Sequence, residues 1–408
     1  MRTLSSLSVL AALLPLAQLC SAHDQAVLPA ELDPARRISF PDTAHYQTLV
    51  LDPHTHSSFS DGHVWPRIRI EEALRDGLDA IAITEHLEWQ PHLADIPHTD
   101  RNRAYQVARE AAVEQALMVI PGSEITRSTE AGHINALFIT DANQLLQQYQ
   151  PEDPTDAMAY YRAMHAMPAQ AAVDAAAAQG AFLFWNHPWW SDDFPDSIPV
   201  LTDFHRDNAR SGKLKGIEIA NGDYYSEQAF QMALDLDLTL IGASDIHELI
   251  DWDYRPHEGG HRPVTLVLAE EDTPAALQQA LVEGRTLVWF KNTLMARELE
   301  MGELLQASLS ITSANYSGES QLLDLVIRNR SDVDFQVEYA GDYSFSRNTD
   351  LLLLKQHADT RITVKTPQRL QRIELPLRVL NALVGPKESA RISLSRQVAT
   401  ALKEITND

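Results

Sequence analysis

The sequence is poor in cysteine and in long apolar runs, and both scarcities exclude classes of structure. Cys20 is the only cysteine among 408 residues, and it lies in the apolar N-terminal run. A chain without that run has no thiol, so disulfides and thiolate ligands are excluded. Any site for a transition metal must then use histidine and carboxylate side chains. No second apolar stretch is long enough to span a membrane.

Basic residues are also scarce. The chain has 33 Lys and Arg against 57 Asp and Glu, which gives a formal net charge of −24. A protein that binds a phosphate backbone normally presents clustered basic residues, and the sequence has no such cluster. We therefore expect no nucleic acid partner. A hydrophobic fraction of 44% with 22% charged residues predicts a globular protein with a large core.

Residues 1–22 have the pattern of a signal peptide. Arg2 is the only charged side chain, an apolar stretch runs to about Leu19, and small residues end the segment at Ala22. The stretch is short for a membrane anchor, and the residues before Cys20 are unlike those of a lipidated cysteine. We predict cleavage after Ala22, export to the periplasm or the medium, and no membrane span in the mature chain.

From about Tyr46 to Phe290 short apolar segments alternate with amphipathic ones, which indicates parallel β/α units. The predicted strands are TLVLD, AIAIT, MVIPG, NALFIT, AFLFW, GIEIA, LTLIGA and VTLVLA. The predicted helices are residues 70–76, 101–117, 156–179 and 273–283. Seven or eight strands with helices between them favour a closed or distorted barrel. An open doubly wound sheet remains an alternative, although no glycine-rich phosphate loop follows the first strand.

After about Thr293 the pattern changes to short runs with period-two alternation and polar turns. These runs predict a small all-β, sandwich-like domain that covers or braces the barrel. The sequence therefore divides into a signal peptide at residues 1–22 and a lead-in at 23–45. The barrel domain follows at 46–293 and the β-rich domain at 294–408.

Nine residues within the barrel domain form a pattern of metal ligands. Most of them stand at or just beyond the end of a predicted strand, where parallel barrels place their active sites. Among them, one pair of residues has H-x-H spacing and another has D-x-H spacing. Either spacing puts both side chains of the pair on one face of an extended segment. The nine residues are His54, His56, Asp61, His86, Glu124, His133, His187, Asp245 and His247.

Each of these residues, taken alone, has an ordinary explanation as a hydrogen-bonded or turn residue. Nine such coincidences, most of them at strand ends, are a poor explanation of the whole set. Neutral imidazole and carboxylate ligands suit Zn, Mn, Fe or Co, and nine ligands are too many for one ion. The pattern predicts a cluster of two or three metal ions.

The motifs HTHSSFSDG, ITEH, PGSEIT, GHINAL, NHP and SDIH together resemble the PHP (polymerase and histidinol phosphatase) superfamily. The resemblance covers residues 54–247 and fills all nine ligand positions of that family. It implies a metal-dependent phosphoesterase with a distorted (β/α)7, TIM-like barrel. With the signal peptide and the β-rich domain, the chain resembles exported PHP-type phosphodiesterases.

The resemblance also implies a trinuclear centre of Zn, Mn or Fe ions. One ion would take His54, His56, Glu124 and Asp245. A second would share Glu124 as a bridge and add His133 and His187. The third would be held by Asp61, His86 and His247. Catalysis would use a metal-bound hydroxide as the nucleophile at phosphorus, with Glu124 and Asp245 holding the ions that generate it.

Substrate contacts are predicted from position alone. Arg127 lies three residues after Glu124 and could bind a phosphate oxygen, although a surface salt bridge is an equal alternative. Trp189, Trp190, Tyr224 and Arg255 follow strand ends and could form an organic-group pocket. Burial against the rim explains them equally well.

We therefore expect an exported metal-dependent phosphoric ester hydrolase for small molecules, with diesters favoured over monoesters. Two alternatives stay open. One is an amidohydrolase-like metal enzyme acting on an ester, lactone or amide without phosphorus. The other is a non-catalytic protein that binds metal or a surface.

Overall fold

The structure is a computed structural model that describes residues 36–128, 130–146, 153, 155–190 and 198–399. The predicted signal peptide and most of the lead-in lie outside these residues. The strands are β1 (Gln47–Asp52), β2 (Ala80–Ile83), β3 (Met118–Thr126), β4 (His133–Leu137), β5 (Phe182–Trp185), β6 (Leu214–Asn221), β7 (Tyr224–Tyr225), β8 (Thr239–Ala243), β9 (Val264–Ala269), β10 (Thr286–Phe290), β11 (Thr293–Ala296), β12 (Leu309–Tyr316), β13 (Leu322–Asn329), β14 (Phe335–Tyr339), β15 (Ser344–Phe345), β16 (Leu351–Leu354), β17 (Asp359–Lys365), β18 (Arg372–Gly385) and β19 (Glu388–Gln397).

The helices lie mainly between the strands of the first domain. They are α1 (Pro66–Asp76), α2 (Arg103–Ala111), α3 (Ala157–His165), α4 (Ala169–Ala178), α5 (Asp203–Arg210), α6 (Glu227–Asp235), α7 (Ile250–Asp253), α8 (Pro274–Val282) and α9 (Glu298–Ser308), with short 3-10 turns at Ala142–Leu146 and Pro256–Glu258. Local sequence explains several boundaries. The Thr273 side chain accepts a hydrogen bond from the Ala276 backbone at the start of α8, and Pro274 occupies the first helical position. Gly77 ends α1 in the left-handed conformation, with φ 73°.

The strands of the first domain are short, apolar and buried on both faces. β1, β2 and β3 pair in parallel, and so do β5, β6 and β8. Every residue of β2, β5, β8 and β9 is buried, as expected for strands that are covered on both sides. The core therefore fixes the strands, and the strand ends carry the polar side chains.

The segments that follow β1 and β8 lie side by side. The Asp245 N–H donates to the His54 carbonyl at 2.9 Å, and the His56 N–H donates to the Ile246 carbonyl at 3.1 Å. A parallel bridge joins Thr55 to Ile246 between these bonds. The first and last strands of the run β1–β2–β3–β4–β5–β6–β8 are thus brought together at their carboxyl ends.

The strand directions correct part of the sequence prediction. We expected parallel units throughout, but β4 pairs antiparallel with both β3 and β5, and β9 pairs antiparallel with β1. A short connection without a helix separates β3 from β4, and such a connection can join only antiparallel neighbours. The helix predicted for residues 156–179 is also two helices, because Pro168 caps α4 and breaks the run after α3.

The C-terminal region is all-β apart from α9, as its alternation predicts. β12, β13, β17 and β15 form a four-stranded antiparallel sheet, whereas β14, β16, β18 and β19 belong to the large sheet of the first domain. The link is β11, which pairs in parallel with β18 and antiparallel with β10. Within the described residues, no helix is both long and apolar enough to cross a membrane.

Candidate metal centre

The nine predicted ligands converge at the carboxyl ends of the strands. His54 and His56 follow β1, His86 follows β2, His187 follows β5, and Asp245 and His247 follow β8. The remaining three come from the loop after His56, from within β3 and from the start of β4: Asp61, Glu124 and His133. Three groups of these side chains have ligand atoms close enough to hold an ion, and together the groups contain eight of the nine residues.

The first group joins the H-x-H pair to Asp245. The Nε2 atoms of His54 and His56 lie 2.9 Å apart, and Asp245 Oδ1 is 3.1 Å from each of them. Both imidazoles are buried. Two ring nitrogens and a carboxylate oxygen thus face one point.

Glu124 stands at the middle of the centre and is fully buried. Its Oε1 lies 2.8 Å from His133 Nδ1, and its Oε2 lies 2.6 Å from His86 Nδ1. The same Oε2 is 3.5 Å from His56 Nε2 and 3.7 Å from His54 Nε2. One carboxylate therefore faces imidazoles of every group, which is the position that a bridging ligand needs.

The third group surrounds Asp61. Its Oδ1 lies 3.1 Å from His247 Nε2, and its Oδ2 lies 3.3 Å from His86 Nε2. His56 Nδ1 is 3.8 Å from Oδ1, so the first and third groups share an imidazole. His187 lies outside the three groups, with its Nε2 3.6 Å from Glu124 Oε1 and 3.8 Å from Asp245 Oδ2.

Several polar atoms of this centre have no hydrogen-bond partner although they are buried. They are Glu124 Oε2, Asp61 Oδ1 and His187 Nδ1. An unsatisfied buried carboxylate oxygen is costly, and such a group needs a specific explanation. The unpaired oxygens and the facing imidazole nitrogens are the donor set of a divalent transition metal. The residues present therefore fit a metal cluster.

Electrostatics keeps the carboxylates ionised. Burial opposes ionisation of Glu124, but the charges of His86 and His133 hold its pKa well below the ordinary value. Burial, together with the neighbouring His247 and His86, lowers the pKa of His56 to about 3, so that ring is neutral at pH 7. For His247, burial is outweighed by the Asp61 carboxylate, 3.1 Å from Nε2, and by the Asp245 charge, and the pKa of His247 rises to about 9.

Two of the ligands have unusual backbone conformations. His187 has φ 22° and Asp245 has φ 52°, both in the left-handed region that favours glycine. Such residues cost about 1–3 kcal/mol each and persist where the surrounding structure holds them. Here the His187 N–H donates to Glu218 Oε2 at 2.6 Å, and the Asp245 N–H donates to the His54 carbonyl.

Glu218 is a residue of the centre that the sequence reasoning missed. It lies on β6, is fully buried, and its Oε1 is 2.8 Å from His54 Nδ1. Its Oε2 also accepts a hydrogen bond from Asn221 Nδ2 at 2.8 Å. The contact fixes the His54 ring so that Nε2 faces the centre. The available signal was a single carboxylate within the apolar strand GIEIA.

Replacement of Glu218 by glutamine is expected to weaken metal affinity by about 10–100-fold, because the second contact of a ligand histidine sets its orientation and basicity. Titration against a competing chelator measures the affinity directly, and excess metal should restore much of any lost activity. Glu227→Gln on the exposed face of α6 is the matched control. Unchanged affinity in Glu218→Gln would show that His54 needs no such support.

Glu85 supports the loop that carries Asp61. It is buried, and its carboxylate accepts hydrogen bonds from the Ser57 hydroxyl, the Ser60 hydroxyl and the Ser57 N–H. Burial raises the pKa of Glu85, against these hydrogen bonds. Asp52 supports the opposite side, because its Oδ2 accepts from the Ser244 hydroxyl at 2.6 Å, directly before Asp245.

A cleft with a volume of about 1020 Å³ opens over the centre. Its floor contains six of the predicted ligands, and its walls come from loops after several strands. The wall residues include Trp89, Thr126, Arg127, Ser128, Glu130, Met158, Tyr161, His165, Trp189, Trp190, Val200, His205, Asp223, Tyr224, Asp253 and Tyr254.

The predicted substrate contacts occupy different positions relative to this cleft. Arg127 lines it, but its Nη1 pairs with the Glu88 carboxylate and its Nε donates to the Met167 carbonyl at 3.2 Å. Burial lowers the pKa of Arg127 to about 10. Trp189 is buried, whereas Trp190 and Tyr224 are 56% and 69% exposed. Arg255 is exposed and does not line the cleft, and its Nη1 lies 3.7 Å from Glu258 Oε2.

His205 lies at the edge of the cleft with its ring stacked on Trp185, at 3.7 Å between ring centroids. Its Nε2 donates to the Ala131 carbonyl at 3.0 Å, and burial lowers its pKa to about 4. The ordinary value is about 6.5, so the unfolded chain binds more protons between these pH values. Stability that is present above pH 6.5 is therefore lost as the pH falls toward 4.

Between pH 7 and pH 5 this histidine should remove about 2 kcal/mol from the free energy of unfolding. Urea denaturation of the native protein and of His205→Gln at both pH values isolates the contribution of this residue. The variant should lose about 2 kcal/mol less than the native protein over that interval. Equal losses would mean that His205 is protonated in the folded state.

Comparisons with known proteins agree with this geometry. A two-domain protein from Bacteroides vulgatus, described as containing a predicted PHP-like metal-dependent phosphoesterase, is 34% identical over 88% of this chain and 98% of its own, with a TM-score of 0.77. A protein from Bifidobacterium adolescentis that is described as a metal-dependent phosphoesterase is 21% identical. The match covers 49% of this chain and 88% of that protein, with a TM-score of 0.35. A model described as an Ig-like domain matches residues 309–395. Among curated proteins none matches significantly.

The fold and the ligand cluster define a metal-dependent hydrolase that has a mixed α/β part and a C-terminal β-rich region. By its identity to the Bacteroides protein over nearly the whole of both chains, the chain belongs to the PHP-like metal-dependent phosphoesterases. Residues 309–395 are similar to an Ig-like domain.

Proposed function

We propose that this protein is an exported phosphodiesterase that hydrolyses small organic phosphodiesters at the centre described above. The observation that carries the proposal is the combination of a buried His and carboxylate cluster with an acidic cleft. Besides the predicted ligands Asp61 and Asp245, three carboxylates of the described residues line the cleft: Glu130, Asp223 and Asp253. A monoester carries close to two negative charges at pH 7 and a diester carries one, so this lining disfavours the monoester.

We further propose that the seven strands from β1 to β8, without the short β7, form the distorted barrel of this family. The contacts between the segments after β1 and β8 support a closed ring. Such a ring places all nine ligands at one end, around a common axis. Export rests on the N-terminal pattern alone.

Divalent cations bound here would supply Lewis acidity and neutralise charge on the phosphoryl oxygens. His54, His56, Glu124 and Asp245 would hold one ion. Glu124 as a bridge, with His133 and His187, would hold another, and Asp61, His86 and His247 would hold the third. Distances support parts of these sets, because ligand atoms of His54, His56 and Asp245 lie together, as do those of Asp61, His86 and His247.

The side chains around the ligands give the reaction its geometry. Glu218 fixes the His54 ring, and the Asn186 side-chain amide donates to Glu124 Oε1 at 2.9 Å. Glu88 accepts from the Thr126 N–H at 2.7 Å and pairs with Arg127, which holds the strand end beside His86. Because these groups are buried and hold one another by hydrogen bonds, the centre is preorganised before substrate enters.

The proposal is tested on the mature protein by metal analysis and by turnover of bis(p-nitrophenyl) phosphate and p-nitrophenyl phosphate. We expect two to three Zn, Mn or Fe ions per chain. We expect kcat/KM for the diester to exceed that for the monoester by about ten-fold or more, equivalent to about 1.4 kcal/mol in the barrier.

Other outcomes would overturn the proposal in distinct ways. Preference for the monoester would make the protein a phosphatase. Cleavage of a carboxylic ester, lactone or amide without phosphoester cleavage would place it with amidohydrolase-like enzymes. Bound metal with no turnover of any ester would indicate a binding protein.

A further inference from the structure

One part of the cleft is aromatic and open to solvent. Trp190 is 56% exposed, yet its ring packs edge-on against two ligand imidazoles, with centroids 5.0 Å from His133 and 5.6 Å from His187. Trp89 and Tyr161 also line the cleft and meet edge to face at 5.4 Å. A group bound against Trp190 would therefore lie directly beside the metal centre.

Four exposed apolar side chains of the described residues line this cleft. Besides Trp190, the exposed large hydrophobic residues that line it are Met158, Val200 and Tyr224, which are 48%, 38% and 69% exposed. Contiguous exposed apolar surface is uncommon unless it binds a ligand or a partner. Because the surface lies inside a cavity of about 1020 Å³, a ligand group is the occupant that fits.

Charge at the cleft disfavours a second anionic group on a substrate whose phosphate lies at the metal centre. Among the described residues that line it, Arg127 is the only arginine or lysine, and its guanidinium is held by Glu88 and by the Met167 carbonyl. His165 accepts a hydrogen bond from the Ser128 N–H at 3.1 Å, and burial together with the Arg127 charge lowers its pKa. No side chain is thus available to neutralise a second anionic group on the substrate.

We propose that the cleft selects phosphodiesters whose second ester group is uncharged and apolar, and that Trp190 binds this group. The inference rests on the proposed phosphodiesterase function and names its substrate class. A flat apolar group of the size of a phenyl ring can stack on the exposed face of Trp190 while the phosphate lies at the metal centre. Such stacking and burial together favour the apolar ester over a small one.

The test compares two diesters that have the same leaving group and the same kind of ester linkage. They are ethyl p-nitrophenyl phosphate and 2-phenylethyl p-nitrophenyl phosphate. For the native, metal-loaded protein we expect kcat/KM for the phenylethyl ester to be about ten-fold or more higher, because one ring leaves water. In Trp190→Ala this ratio should fall to within about two-fold of one, and Trp190→Phe should keep part of it.

Trp252→Ala is the matched control, because Trp252 is 65% exposed and does not line the cleft. Its ratio should equal that of the native protein. A native ratio near one, or a ratio that Trp190→Ala leaves unchanged, would overturn the inference while phosphodiester hydrolysis stands.

A binding measurement separates the two proposals. Calorimetry with ethyl methylphosphonate and 2-phenylethyl methylphosphonate, which have no p-nitrophenolate to lose, reports affinity without turnover. Tighter binding of the phenylethyl compound, lost in Trp190→Ala, would support the cleft assignment even if no ester were hydrolysed. Equal affinities for both compounds would contradict it.

Discussion

Replacement of Glu124 by glutamine should lower kcat/KM by about a thousand-fold or more, equivalent to about 4 kcal/mol in the barrier. Both oxygens of Glu124 contact ligand imidazoles, and Oε2 has no hydrogen-bond donor of its own. Glutamine has nearly the same shape, but it removes the charge and turns an amide N–H₂ toward ring nitrogens. We therefore expect loss of bound metal as well as loss of turnover.

Steady-state kinetics and elemental analysis of the purified variant test this expectation. The far-UV circular dichroism spectrum should stay close to that of the native protein, because the change preserves side-chain volume. Glu303→Gln on α9 is the control, since Glu303 contacts only the exposed His45 at 3.1 Å among the ion pairs of the described residues. Normal activity in Glu124→Gln would contradict the bridging assignment.

Replacement of Arg262 by methionine should lower the free energy of unfolding by about 3–5 kcal/mol, because it leaves the buried Asp52 carboxylate without a counter-ion and Asp76 with Arg36 alone. Arg262 is fully buried. Its Nη2 lies 2.6 Å from Asp76 Oδ2, and its Nη1 lies 3.1 Å from Asp52 Oδ2. The two carboxylates raise the pKa of Arg262 against the effect of burial.

Urea denaturation measures the loss. Arg210→Met is the control, because Arg210 and its partner Asp207 are both about three-quarters exposed and such pairs contribute little. Its free energy of unfolding should stay within about 0.5 kcal/mol of the native value. Equal stability of the two variants would mean that the Asp52 and Asp76 carboxylates are satisfied without Arg262.

That the nine predicted ligands lie together could be predicted from local sequence order, whereas their binding of metal stays a prediction. Each of them follows, begins or lies within a short apolar strand, so that residue type and strand position together define the site. The H-x-H spacing predicted that the His54 and His56 side chains lie on the same face of an extended segment, and their Nε2 atoms are 2.9 Å apart. The all-β C-terminal region was predictable for the same reason, because alternation is a local pattern.

The supporting residues could not be predicted, because their roles depend on distant partners. Glu218 contacts His54 across 164 residues, and Arg262 contacts Asp52 across 210. The pairing of β9 against β1 was missed because an apolar run has no sequence mark for its direction. Arg127 lies at the cleft, as its position in the sequence suggested. The sequence did not predict its ion pair with Glu88, and its contact with substrate stays a prediction.

The strand pairing around β11 has a consequence for how this protein can be divided. β10, β11 and β18 are neighbours in one sheet, with Leu294 opposite Ala382 and Met295 opposite Leu383. The C-terminal β-rich region is therefore continuous with the large sheet and is not a module that can be removed or exchanged at residue 293. A chain ended there would expose an unpaired strand edge, which promotes aggregation.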